Sequence, residues 1–275
     1  MGRESERHMT ATRTTTPLAT SASLPQRLLD LLFPPRCAHC RVAGEILCAA
    51  CWADIHEPRA PRCARCDRSL SASQTTPYCP VCVASLRETG RPALGRIVVA
   101  ADYEGPVGSA IRALKFRRQR RLALPLALLL ADAMRRTGTT VDVIIPMPLH
   151  AARRRERGYN QAELLARPLA HTLGVPLRHD LLARIRATQP QTRLSRRDRQ
   201  ANVAGAFALA SPAAAQALAG KRVALVDDVT TTGATLEAAA QALSAAHPAT
   251  ICALAVARPV RATLVQADDD VALDR

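Results

Sequence analysis

A chain of 275 residues exceeds what one ordinary domain needs, and with 48% hydrophobic and 22% charged residues it can build a core and is not disordered throughout. Aromatic residues make up only 3%, which argues against a base-stacking platform for single strands, and no apolar run reaches the roughly 18–20 residues of a membrane span. The net charge of +15 is concentrated, with +4 in residues 1–95, +15 in residues 96–222 and −4 in residues 223–275, so the middle of the chain points to an anionic partner, nucleic acid or a phosphorylated small molecule, unless its arginines are simply solvated surface.

In chain order, residues 1–23 read as a disordered Thr/Ser/Ala/Arg leader. They lack the apolar stretch of a secretory signal, so the chain is expected to be soluble and cytoplasmic. Leu24 to Phe33 predicts a short amphipathic helix with Leu28, Leu31 and Leu32 on one side, ended by Pro34-Pro35. Residues 24–86 form a small cysteine-bearing domain, and residues 87–95 read as a linker. A larger domain follows over 96–260, with an acidic tail at 261–275. Within it, Ile97 to Ala101 predicts a strand, and Val107, Ala110, Ile111 and Leu114 mark one face of a helix. A second helix is expected over Arg121 to Arg136, and a buried strand over Val141 to Ile145, closed by Pro146-Met147-Pro148. Leu165, Leu169 and Leu173 mark another helix, against the interior-proline penalty of about 3 kcal/mol at Pro168. Residues 186–204 are polar, arginine-rich and without a face. Strands over Val223–Val226 and Ile251–Val256 flank a helical stripe of Leu236, Ala239, Ala240 and Leu243. Strands alternating with helices predict an α/β domain with a parallel sheet.

Eight of the nine cysteines form four C-x-x-C units: Cys37/Cys40, Cys48/Cys51, Cys63/Cys66 and Cys79/Cys82. A tight turn aims two thiolates at one ion, and two such knuckles complete the four-sulfur shell that zinc favours. Disulfides are disfavoured in a chain without a secretion signal. Sequential pairing, Cys37/Cys40 with Cys48/Cys51 and Cys63/Cys66 with Cys79/Cys82, closes each loop at low entropic cost, although spacing alone leaves interleaved pairing open. A closed four-thiolate shell leaves no position for substrate, so a structural role is expected. His39 is read as a bystander and Cys252 as a small buried hydrophobe.

The segment Val223-Ala-Leu-Val-Asp227-Asp228-Val-Thr230-Thr231-Thr232-Gly233-Ala234-Thr235 carries the chemistry. Two adjacent carboxylates end an apolar strand, where the ligand crevice of an open α/β sheet lies, and can accept hydrogen bonds from a vicinal diol. The N–H groups from Thr231 to Thr235 then open a helix and suit a phosphate, and Gly233 permits close approach. A diol next to a phosphate describes a ribose 5-phosphate.

These thirteen residues resemble the phosphoribosyl pyrophosphate (PRPP) motif of type I phosphoribosyltransferases. Ile145-Pro-Met-Pro-Leu-His150, Arg153-Arg-Arg-Glu-Arg157-Gly-Tyr-Asn160-Gln161, and Gln191, Leu194, Ser195, Arg199 and Asn202 to Phe207 narrow the resemblance to the ComF family of competence-associated proteins, over about residues 27–258. That family resembles this chain also in its amino-terminal double zinc ribbon. The resemblance implies a type I phosphoribosyltransferase fold, with a hood over a parallel Rossmann-like sheet. It implies Asp227 and Asp228 as catalytic residues on the ribose hydroxyls and Thr230, Thr231, Thr232, Gly233, Ala234 and Thr235 on the 5′-phosphate. Arg153, Arg154, Arg155 and Arg157 would meet the pyrophosphate, with Lys115, Arg117 and Arg118 adding charge. Residues 186–204 would be the hood that closes over substrate. Mg²⁺ would accompany PRPP, and two structural Zn²⁺ the cysteines.

Thr231 stands where purine-salvage enzymes of this class carry an acid, and threonine is no general base near neutral pH, so the acceptor is left unidentified. Two functions follow: phosphoribosyl transfer from PRPP, or a non-enzymatic accessory role in DNA uptake, with single-stranded DNA on Arg117, Arg118, Arg120 and Arg121 and competence or helicase-like proteins as partners.

Overall fold

A computed structural model describes residues 30–58, 61–90, 92–187 and 201–259. The expected leader, the acidic tail and most of the Leu24–Phe33 segment lie outside the described residues. No helix among them is long and apolar enough to cross a membrane.

Two cysteine units come first, each ending in a helix: α1 (Ala49–Ala53) and α2 (Pro80–Thr89). They are built alike. Cys37 and Cys63 open a turn whose last residue, Arg41 or Asp67, takes positive φ, and a single antiparallel bridge closes each unit, Arg36 to Ala43 and Arg62 to Ser69. Cys48 and Cys79 then cap the two helices. Helix α2 runs through Thr89, into the stretch where the sequence suggests a linker.

The remaining elements are β1 (Arg96–Asp102), α3 (Gly105–Phe116), α4 (Ala123–Arg136), β2 (Val143–Pro146), α5 (Ala151–Arg157), α6 (Gln161–Leu173), β3 (Leu182–Arg184), β4 (Phe207–Leu209), α7 (Pro212–Leu218), β5 (Arg222–Val229), α8 (Ala234–Ser244) and β6 (Thr250–Arg258). Strands pair in the order β1-β6-β5-β2, all parallel, so the expected α/β sheet is present. Pro168 is tolerated inside α6 because Leu165, Ala166 and Leu169 bury completely around it. That burial outweighs one lost backbone bond.

The period-2 alternation of the strands divides the core in two. Val98, Ile144, Ala224, Val226, Leu254 and Val256 face α3, α4, α6 and the first cysteine unit, including Trp52 and Ile55. Ile97, Val99, Val143, Ile145, Val223 and Leu225 face α7, α8, the β3–β4 pair and the second cysteine unit. The two units thus pack on opposite faces.

Strand β1 is an edge strand, and its free side is covered. Ile97 N–H donates to Arg65 O at 2.7 Å, Val99 N–H to Asp67 Oδ2 at 2.6 Å and Asp102 N–H to His56 O at 3.2 Å, while Arg62 donates to Val99 O at 3.0 Å. An edge left open would be a template for pairing with another chain.

Candidate functional site

The same alternation separates the two carboxylates at the end of β5. Asp228 shares the face of Ala224 and Val226 and meets α3, where Lys115 Nζ lies 3.0 Å from its Oδ1. Asp227 shares the face of Val223 and Leu225 and meets the β3–β4 pair, where Arg184 acts on it electrostatically. Burial and the neighbouring Asp228 push the Asp227 carboxyl up to about 7, against the pull of Lys115 and Arg184. For Lys115, burial works to lower the ammonium pKa, but Asp228 overrides it and holds it above its usual value. Lys115, expected near a pyrophosphate, is therefore committed first to Asp228.

The loop after β5 has the form of an anion cradle. Thr230 N–H is used by Ala257 O at 3.0 Å, and Ala234 N–H by Thr232 Oγ1 at 3.3 Å. Between them, the N–H groups of Thr231, Thr232 and Gly233 take no partner among the described residues. Thr230 Oγ1 is buried and equally unmatched. Gly233 has φ +86°, a left-handed backbone that strains any side chain, and a Cβ there would also push the end of Ile97, 2.9 Å away at Cδ1.

The second loop follows β2. Met147 N–H donates to Val226 O at 2.9 Å, and His150 Nδ1 accepts from Ala152 N–H at 3.3 Å to open α5, which buries none of its residues. The chain is then pinned. Tyr159 donates its hydroxyl hydrogen bond to Leu114 O, and Asn160 donates to Met147 O at 3.0 Å while accepting from Ala162 N–H at 3.1 Å. The Gly-Tyr-Asn-Gln stretch thus anchors the arginine helix beside α3.

Of the four loop arginines, Arg153 lies close enough to Arg184 to help lower its pKa, after burial. Arg154 turns toward Glu163 at 3.6 Å, Arg157 donates to Gln161 Oε1 at 3.1 Å, and Arg155 is exposed. Arg120 stacks 4.6 Å from the Tyr159 ring centre, and Arg121 pairs with Asp30 at 2.9 Å. Arg121 is therefore not an uncommitted member of a basic surface.

Gln191, Leu194, Ser195 and Arg199 of the expected hood lie outside the described residues. Its two ends are tied together: β3 and β4 pair antiparallel, and Arg186 donates to Asn202 O at 2.9 Å and Ala204 O at 2.7 Å.

Sequence reasoning missed Arg184, Arg258 and Arg68. Arg258 is buried at the end of β6 and donates to Thr231 O and, at 2.8 Å, to Cys66 O. Arg68 donates to the same Thr231 oxygen at 3.2 Å. A lone cation ending the apolar strand Ile251–Ala257 was the available signal for Arg258.

The cysteines gather as sequential pairing requires. The Sγ atoms of Cys37, Cys40, Cys48 and Cys51 lie within 4.8 Å of one another, as do those of Cys63, Cys66, Cys79 and Cys82, and none is in a disulfide. Tetrahedral Zn–S bonds of about 2.3 Å separate sulfurs by about 3.8 Å, so both groups fit zinc.

The chain is similar in sequence to known proteins. The double zinc ribbon domain family matches residues 28–83, and the phosphoribosyl transferase domain family matches residues 160–274. Competence protein F of Haemophilus influenzae is 36% identical over 210 residues, covering 73% of this chain and 87% of that protein. The chain belongs to the ComF family. Within it, the DNA utilization protein YhgH of Salmonella typhimurium is 34% identical over 230 residues, 80% of this chain and 96% of that one. Among solved structures, glutamine PRPP amidotransferase from B. subtilis resembles 48% of this ComF-family chain and 26% of its own, at 19% identity and a TM-score of 0.32.

Proposed function

We propose that this protein binds PRPP and transfers its phosphoribosyl group to an acceptor, in the cytoplasm, within the use of DNA named for its relatives. The observation that carries this reading is the run of three N–H groups without a partner among the described residues, at Thr231, Thr232 and Gly233, in the loop that follows two carboxylates at a strand end. The 5′-phosphate takes the N–H groups of the loop, and the ribose hydroxyls donate to Asp227 and Asp228. The pyrophosphate meets Arg153 and its neighbours on α5. The acceptor forms its bond to ribose C1 as the bond from C1 to the pyrophosphate oxygen breaks, and pyrophosphate leaves with the electron pair. Arginines placed where that charge develops supply the stabilisation.

No group of three carboxylate, imidazole or thiol ligands other than the two cysteine sets occurs among the described residues. Asp227 and Asp228 offer the hard carboxylate oxygens that suit Mg²⁺ and would hold it together with substrate oxygens, where it would offset pyrophosphate charge. The two four-thiol groups each hold a structural Zn²⁺.

Calorimetry with PRPP and Mg²⁺ tests the site: binding is expected in the parent and lost in Asp227→Ala and Asp228→Ala. Absence of binding by the parent overturns the reading. A PRPP-dependent pyrophosphate-release screen over nucleobases, amides and single-stranded DNA identifies the acceptor.

A second reading rests on Phe116. Its ring is 66% exposed at the end of α3, with the Arg157 guanidinium 5.3 Å from its centre and Arg117 and Arg118 next in sequence. An exposed ring among cations suits a base and its phosphates, so single-stranded DNA is the alternative ligand of this ledge. Phe116→Ala should then weaken single-strand binding and leave PRPP affinity unchanged.

A further inference from the structure

The Thr231–Thr232 peptide is held from outside the loop. In a trans peptide the C=O and the following N–H point in opposite directions. Whatever fixes Thr231 O therefore aims Thr232 N–H the other way. Two guanidinium groups fix it: Arg258, from the end of β6, and Arg68, from the turn of the second cysteine unit at 3.2 Å. Arg258 is buried, and its other terminal nitrogen donates to Cys66 O at 2.8 Å, the carbonyl of a cysteine in the second four-thiol group. The second unit reaches the same loop a second time through Arg65, which pairs at 3.0 Å with Glu237 in the first turn of α8. Arg65, Arg68, Ser85, Thr232, Gly233 and Glu237 border one small cleft between the two parts.

We infer that Arg258, with Arg68, is the positioning residue of the phosphate loop, clamping Thr231 O to the second zinc unit so that Thr232 N–H is presented to the 5′-phosphate. Two cations on the carbonyl side of a peptide also polarise it, which strengthens its N–H as a donor to an anion. The second zinc unit is thereby part of the frame of the site. The first unit reaches the other face of the sheet, with His39 Nδ1 3.0 Å from Ser109 Oγ and Glu57 2.9 Å from Arg136, and makes no such clamp.

The inference rests on the PRPP reading for its ligand but not for its geometry, and the test separates the two. Arg258→Met, Arg258→Lys and Arg68→Ala are compared in the full zinc-loaded chain, with Arg136→Gln as the comparator at the first unit. Zinc content is expected to stay at two per chain. In Arg258→Met, hydrogen exchange of the bonded loop amides Thr230 and Ala234 should quicken, and affinity for ribose 5-phosphate should fall, each about tenfold, as for loss of a charge-assisted hydrogen bond. Exchange in α4 and affinity for pyrophosphate, held on the opposite loop, should not change. Arg258→Lys keeps the charge but cannot span both carbonyls, so it should fall between parent and Met. Arg68→Ala should give a smaller loss, and Arg136→Gln none. Loop exchange in Arg258→Met within twofold of the parent overturns the inference. If that variant does not fold, unchanged exchange in Arg258→Lys does so. If the parent binds neither PRPP nor ribose 5-phosphate, the functional reading fails while the exchange comparison still decides the clamp.

Discussion

The two cysteine units share a sequence frame, Pro35-Arg36-Cys37 against Pro61-Arg62-Cys63, and a fold, yet they contribute differently. The difference lies in two positions. Within the knuckle, His39 of the first unit touches a helix surface at Ser109, whereas Arg65 of the second pairs with Glu237 beside the phosphate loop. At the positive-φ position after the knuckle, Arg41 is exposed, whereas Asp67 is buried, accepts from Val99 N–H and pairs with Arg62. Aspartate tolerates this conformation better than most residues, so the strained corner becomes a docking peg at little cost. The same scaffold thus supplies hydrophobic mass on one face of the sheet and polar instruction on the other.

The largest expected effect tests the first unit. Trp52, only 4% exposed beneath it, should cost about 3–5 kcal/mol of stability when changed to alanine, read as a lower melting temperature. PRPP affinity in the folded fraction should be unaffected, and loss of that affinity would erase the distinction between the units. Next, Asp67→Ala strands Arg62 and the Val99 N–H, and a cost of about 3 kcal/mol is expected. This loss should be accompanied by faster amide exchange along β1. Third, Gly233→Ala combines a left-handed backbone with a clash at Ile97, and strain of about 1–3 kcal/mol predicts a loss of PRPP affinity on the order of tenfold or more with the fold intact by circular dichroism.

The smallest effect is a pH dependence. With its carboxyl pushed up to about 7, Asp227 holds a proton in the folded state at pH values where the unfolded chain, near 3.8, has lost it. Its contribution to stability is therefore present below the unfolded value and is lost as pH rises through about 7. On the proposed PRPP site the ionised carboxylate would accept from the ribose diol, so PRPP affinity should rise from pH 6 to pH 8 as stability eases. Asp227→Asn should flatten both curves, measured by calorimetry and by denaturant titration. A pH profile unchanged in that variant would move the titration to another group.

The cysteine sets and the Asp227–Thr235 loop were legible in the sequence because their chemistry is local: ligands three apart, or a strand, two acids and a glycine in succession. Sheet elements were legible through their apolar runs. What stayed hidden was tertiary. Arg68 and Arg258 are 190 residues apart in numbering yet meet at one carbonyl, and no periodicity encodes that. The commitment of Lys115 to Asp228 was equally invisible, since charge alone suggested a phosphate partner. The short strands β3 and β4, three residues each, were too brief for a period-2 signal.

The covered edge of β1 carries one more consequence. A version of the chain cut to begin near Arg96 would expose alternate N–H and C=O groups along an apolar strand, including those of Ile97 and Val99. Such a border invites a second copy to add its own strand. Stripping metal from the second unit loosens the same guard together with the Arg68 contact to the loop after β5 and the Cys66 contact to Arg258, so clumping of the protein and loosening of that loop should appear at the same level of zinc depletion.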